Sequence, residues 1–281
     1  MQDFWIILVV SFLALSASLL GCFLTLRKMG MLADAIAHSI LPGIVIAYLL
    51  AGRKDNFLIL MVASLFGIIT TTLIAWIEKR AKNRSDAATG ISFTFLFAVG
   101  VILVTLFAER ADLDADCVLF GEMLYIPFDI ILIGNIEVPR ALPLALILFL
   151  LVIFFISRAY RAMSLISFDE TFAISIGLSV TFWHYVLITL VSMLTVASFE
   201  VLGSVLVIAL FIFPPAIAFL LSKKLKAMIF LSLIISVLAV FLGYYLSVWQ
   251  GGSSAASIVI VQGLIFLVAF LHNKKVANIN S

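Results

Sequence analysis

The apolar residues of this chain fall into nine unbroken blocks, near 4–26, 31–50, 57–77, 90–108, 140–157, 179–198, 201–221, 227–248 and 255–271. Each is roughly 17–23 residues, the length a helix needs to cross a bilayer core. Backbone in lipid must satisfy its own hydrogen bonds, which leaves only helices and closed barrels. Barrel strands alternate in hydropathy, and these blocks do not. The expected fold is therefore all-α, a polytopic transmembrane helical bundle forming a single domain over residues 1–281. The chain is 65% hydrophobic and 11% charged, where a soluble domain carries about 25% charge. Blocks six and seven nearly touch, so a broken helix giving eight spans is the alternative count. Block one is too long for a signal-peptide core, and its basic residues follow rather than precede it; it reads as a retained span.

Thirteen of the seventeen basic residues fall in one set of connections: Arg27, Lys28, Lys79, Arg80, Lys82, Arg84, Arg158, Arg161, Lys223, Lys224, Lys226, Lys274 and Lys275. The other set holds Arg53, Lys54, Arg110 and Arg140. Basic excess marks the cytoplasmic side, so the N-terminus is expected outside and the C-terminus in the cytoplasm. The acidic stretch 108–117 then faces outward and reads as a solvated loop, the alternative being a field that concentrates cations. The rest of that connection, to residue 139, carries an interrupted apolar run that reads as a re-entrant or interfacial helix. Residues 158–178 form a long cytoplasmic connection. Cys22 lies in a span and Cys117 in a polar connection, so no disulfide framework is expected.

Asp34 and His38 sit four apart within the second block and share one helix face. Ionisable residues inside a span are costly and usually face a pathway or a partner. Carboxylate oxygen and imidazole nitrogen are both ligands for first-row divalent metals; a satisfied polar contact is the plainer reading. Pro42 has no N–H to give the His38 carbonyl. With Gly43 it should loosen the helix just past the pair, as broken helices do at transporter ion sites. Two side chains do not complete a site, and Glu200, at the junction of blocks six and seven, is a candidate third ligand or else an interfacial carboxylate. Pro214 and Pro215 free the carbonyls of Leu210 and Phe211 and should kink the seventh span.

In SFDETFAISIGL, residues 167–178, Ser167 and Glu170 fit a capping box, and Gly177 fits a helix stop. Phe168, Phe172, Ala173 and Ile176 fall on one side at helical spacing. The segment reads either as a helix flat on the lipid interface or as a docking helix centred on Ser167, Phe168, Asp169, Glu170, Phe172 and Gly177. The chain has no GxxxxGK[ST] loop and no HExxH signature, and nothing in it supports an enzyme.

LADAIAHSILPG (32–43), LDADCVLFGEM (113–123), SFDETFAISIGL (167–178) and ASFEVLGSVLVIALFIFPPAIAFLL (197–221) resemble, in order, four motifs of the integral membrane permeases of ABC-type manganese, zinc and iron importers (the ABC-3 family). The resemblance implies a bacterial cytoplasmic (inner) membrane protein that moves a divalent metal by alternating access. It implies no permanently bound cofactor. It implies pairing with an identical or related permease, a separate cytoplasmic ABC ATPase and an extracytoplasmic metal-binding protein. It matches Asp34 and His38 to the family's intramembrane metal pair, and residues 167–178 to its ATPase-docking region. Two positions depart from the pattern: Glu200 stands where many relatives have Gln, and WQGGSSAAS (249–257) lacks the acid relatives often carry there. A stand-alone ion-coupled metal transporter or channel would keep the pair and need no ATPase.

Overall fold

Among the described residues of the computed structural model (2–51, 56–81, 85–107, 123–133 and 136–279), nine helical segments are long and apolar enough to cross a membrane. In chain order the helices are α1 (Gln2–Leu26), α2 (Gly30–Ser39), α3 (Leu41–Ala51), α4 (Asn56–Ala81), α5 (Ser85–Phe107), α6 (Ala141–Phe168), α7 (Glu170–Ser175), α8 (Val180–Leu202), α9 (Ser204–Leu221), α10 (Leu225–Gln250) and α11 (Ser254–Ile279). The second block is the broken pair α2–α3, and α7 is the short segment outside the spans. The count is nine rather than eight. Gly203 alone joins α8 to α9, and α9 turns back so that its Ala218 packs beside Cys22 at the far end of α1.

α1 is the most enclosed span, with 72% of its apolar window buried, and it packs against α6, α9 and α10. Close approach there depends on Gly21: a Cβ at that position would collide with the Phe211 carbonyl and lie 2.8 Å from Pro215 Cγ. Pro215 denies that same carbonyl its helical donor. α9 nevertheless remains helical through Pro214 and Pro215, both buried. Hydroxyls supply polar glue between spans. Ser18 lies 2.6 Å from Ser232 across α1 and α10, and Tyr244 donates to Asp3 at 2.6 Å, tying α10 to the start of α1.

The connection before α6 departs from expectation. Where described, it is no helix but a single 3-10 turn (Met123–Tyr125) and an antiparallel hairpin, β1 (Ile130–Ile133) and β2 (Ile136–Pro139). β1 is all Ile and Leu and β2 carries Ile and Val, and only Gly134 and Asn135 separate them in sequence. This is hairpin patterning that length-based reading of an apolar run overlooks. The acidic stretch 108–117 lies outside the described residues. α6 continues as helix to Phe168, so its last three turns carry the basic residues Arg158 and Arg161 past the apolar block.

Candidate metal site and docking segment

α2 is almost entirely buried except for one stripe. Leu32, Ala33, Ala35, Ile36, Ala37, Ser39 and Ile40 lie in the core, whereas Met31, Asp34, His38 and Leu41 form a partly open line at helical spacing. The opposite face is fixed by Ile36, which approaches the point where Gly67 of α4 meets Ser192 of α8, and by Ser39 Oγ, 2.6 Å from Thr70 Oγ1 on α4. These contacts turn the acid and the histidine away from the core.

On the open stripe His38 Nε2 lies 3.4 Å from Asp34 Oδ1, and the side chains keep 34% and 27% of their exposure. Two ligand atoms about 2.1 Å from one ion stand about 3.4 Å apart at the tetrahedral angle, so this spacing accepts a shared cation with little movement. Phe93 and Phe97 of α5 frame the imidazole at ring-centroid distances of 5.9 and 5.8 Å. Among the described residues no group of three or more His, Cys, Asp and Glu side chains comes together. Glu200 stands on the last turn of α8, and its side chain lies outside the described residues.

The helix interruption falls at Ile40, between His38 and Pro42. The ladder resumes on both sides, Ile40 N–H to Ile36 O at 3.1 Å and Ile44 N–H to Ile40 O at 3.0 Å. Pro42 thus occupies the first turn of α3, where its missing N–H costs least. The joint is a hinge-like discontinuity rather than an unwound segment. It is clasped on two sides: Gly43 lies against Ala63 and Phe66 of α4, and Gly100 of α5 lies against Leu41 and Pro42.

In the segment 167–178 one local reading is corrected. Ser167 is not the N-cap; it is still inside α6 and donates to the Met163 carbonyl at 2.7 Å. Asp169 caps α7, accepting from the Phe172 N–H at 2.9 Å and the Thr171 hydroxyl at 2.7 Å. Those donors hold its carboxyl below the usual carboxylate range. Gly177, at φ +83°, ends the helix as expected: Leu178 N–H reaches Ala173 O and Gly177 N–H reaches Ile174 O, both at 3.0 Å, the paired closure of a Schellman motif. Ala173 is buried, while Phe168, Phe172, Ile174 and Ile176 are exposed. Ala173 therefore seats α7 on the bundle and does not join the outward apolar set.

One further contact went unread in the sequence. Arg27, just past α1, donates from Nη2 to His184 Nδ1 on α8 at 3.2 Å. No local pattern links residues 157 positions apart. The only hint was a basic residue at the end of one span and a histidine at the start of another.

The model of the ABC 3 transport family matches residues 2–273. The chain belongs to the ABC 3 transport family. It is 36% identical to the manganese transport system membrane protein MntD of Bacillus subtilis, over 95% of this chain and 90% of that one. It is 34% identical to the zinc transport system membrane protein TroD of Treponema pallidum, over 96% and 74%. Among solved structures it is similar to PsaBC from Streptococcus pneumoniae in complex with Fab, with a TM-score of 0.79, 27% identity and coverage of 96% of this chain and 91% of that one. The nine-span bundle is therefore that of an ABC 3 permease.

Proposed function

We propose that this ABC 3 permease carries manganese, zinc or iron(II) across a bacterial cytoplasmic membrane by alternating access, with Asp34 and His38 as its transient ligands. The observation that carries this is the pair itself: a carboxylate and an imidazole at metal-spanning distance on the one open stripe of an otherwise buried, broken helix. Two ligands are too few for any of these metals. A second permease copy related by a two-fold axis would present the same stripe and supply two more. A site split between protomers binds when the halves meet and releases when they part, and passage requires binding that is not too tight. Glu200 is the favoured carboxylate for drawing the ion toward the bundle.

The excess of basic residues favours a cytoplasmic setting for the Arg27 end of the bundle. There α7, with Phe168, Phe172 and Ile176 exposed, is the surface for a separate ABC ATPase, and a metal-binding protein delivers the ion on the opposite side. A stand-alone ion-coupled transporter fits the pair equally, but membership of an ABC family favours the ATPase-driven reading. Cellular manganese, zinc and iron measured in a deletion strain, with and without the permease restored, test it. Restoration of one metal by the wild-type chain but not by Asp34→Ala or His38→Ala is the expected result, and equal restoration by both variants overturns the assignment.

A further inference from the structure

The connection between α1 and α2 is three residues long, Arg27 to Met29, and leads within two turns to Asp34. It is held tightly. Met29 N–H bonds Leu24 O at 2.8 Å and Lys28 N–H bonds Thr25 O at 3.1 Å, closing α1 in a Schellman motif. Lys28 takes the left-handed position at φ +57°, where a non-glycine residue is strained. Arg27 occupies the helix cap. Its guanidinium has only donors, so His184 Nδ1 must accept the 3.2 Å bond from Nη2. Nη1 is buried and has no hydrogen-bond partner among the described residues. A buried donor left unpaired is costly, and a charged one more so.

We propose that Arg27 is a positioning residue that couples α7 to the metal-bearing helix α2, its unpaired Nη1 receiving Glu170 of α7 when the docked ATPase shifts that helix. Glu170 is the first residue of α7, which packs on α6 and α8, and its carboxylate already opposes the effect of burial on Arg27. Completing that pair pulls on the Arg27–Met29 joint. α2, braced on α4 by Ser39 and interrupted at Ile40, responds by turning its Asp34/His38 stripe. The inference rests on the ATPase-docking reading of α7 but concerns a different residue and a different measurement.

The test uses the permease reconstituted in proteoliposomes with its ATPase, reading ATPase co-purification, ATP hydrolysis and metal uptake per ATP. Arg27→Gln is expected to keep the ATPase bound and hydrolysis within about twofold while uptake per ATP falls at least tenfold, and Glu170→Gln is expected to lower uptake per ATP by a similar factor. Arg27→Lys, which keeps charge but cannot fork to two partners, should fall between. The proposal is overturned if Arg27→Gln retains wild-type uptake per ATP. It is equally overturned if that variant simply loses the ATPase or the folded dimer, since Arg27 would then be structural. Phe172→Asp separates the two ideas: loss of ATPase association in this variant supports docking through α7, and its retention removes that premise and the coupling route with it.

Discussion

Gly100 of α5 lies directly against Pro42 of α3: a Cβ on Gly100 would stand 2.9 Å from Pro42 Cδ and 3.0 Å from Leu41 Cβ. The contact clamps α5 to the joint that follows Asp34 and His38, and the same helix supplies Phe93 and Phe97 around His38. Gly100→Leu is expected to push α5 from that joint at a cost of about 1–3 kcal/mol. A lower thermal midpoint in detergent together with reduced uptake is the outcome; an unchanged midpoint would show that the clamp has slack.

The pair should be sensitive to chemistry rather than to volume. Asp34→Asn conserves shape and removes the charge, and His38→Gln keeps a polar side chain without the ring nitrogen. Because both residues retain about a third of their exposure, neither change leaves a deeply buried cavity. Folded yield should stay near wild type while metal uptake drops at least tenfold, about 1.4 kcal/mol or more in ligation. Radiolabelled manganese uptake beside size-exclusion profiles separates the two effects.

Asp169 and Ser167 offer a direct comparison of caps. Asp169→Ala removes the acceptor of the Phe172 N–H and should speed amide exchange through α7, measured by hydrogen exchange and mass spectrometry. Ser167→Ala deletes only a hydroxyl bonded back into α6 and should leave α7 exchange unchanged. The Asp169 carboxyl is held below its ordinary value, so its capping contribution is fully present at neutral pH. It is lost as pH falls through that depressed value, and ATPase association should weaken only in that acid window.

The spans were legible because bilayer thickness imposes a length on apolar runs, and the Asp34/His38 pair because helical spacing reveals a shared face. What escaped depends on contacts between distant segments or on competition between neighbours. Ser167 and Asp169 are both good caps two residues apart, and the choice was made by the Met163 carbonyl, which already satisfies the serine. Ile130–Ile133 and Ile136–Pro139 were read by apolar length rather than by the two-residue Gly-Asn gap between them, which is the stronger signal for a hairpin. Phe93, Phe97 and the Arg27–His184 bond meet their partners only once the bundle is assembled.

Gly203 carries a backbone demand of its own. It sits at φ +74° and ψ 162° between α8 and α9, a region open essentially to glycine alone. Its N–H bonds Phe199 O at 2.9 Å while its carbonyl takes the Val207 N–H at 3.2 Å, so the same residue ends one span and begins the next. Relaxing its dihedrals would break one of those bonds. Gly203→Ala should therefore cost about 1–3 kcal/mol from strain alone, and the loss should appear as reduced folded yield and a lower thermal midpoint in detergent. Val205→Ala, two residues on at an exposed position, serves as the control and should leave both unchanged. A Gly203→Ala protein with wild-type stability would mean that the two spans can be joined with ordinary dihedrals, and that the one-residue junction is not what fixes their antiparallel return.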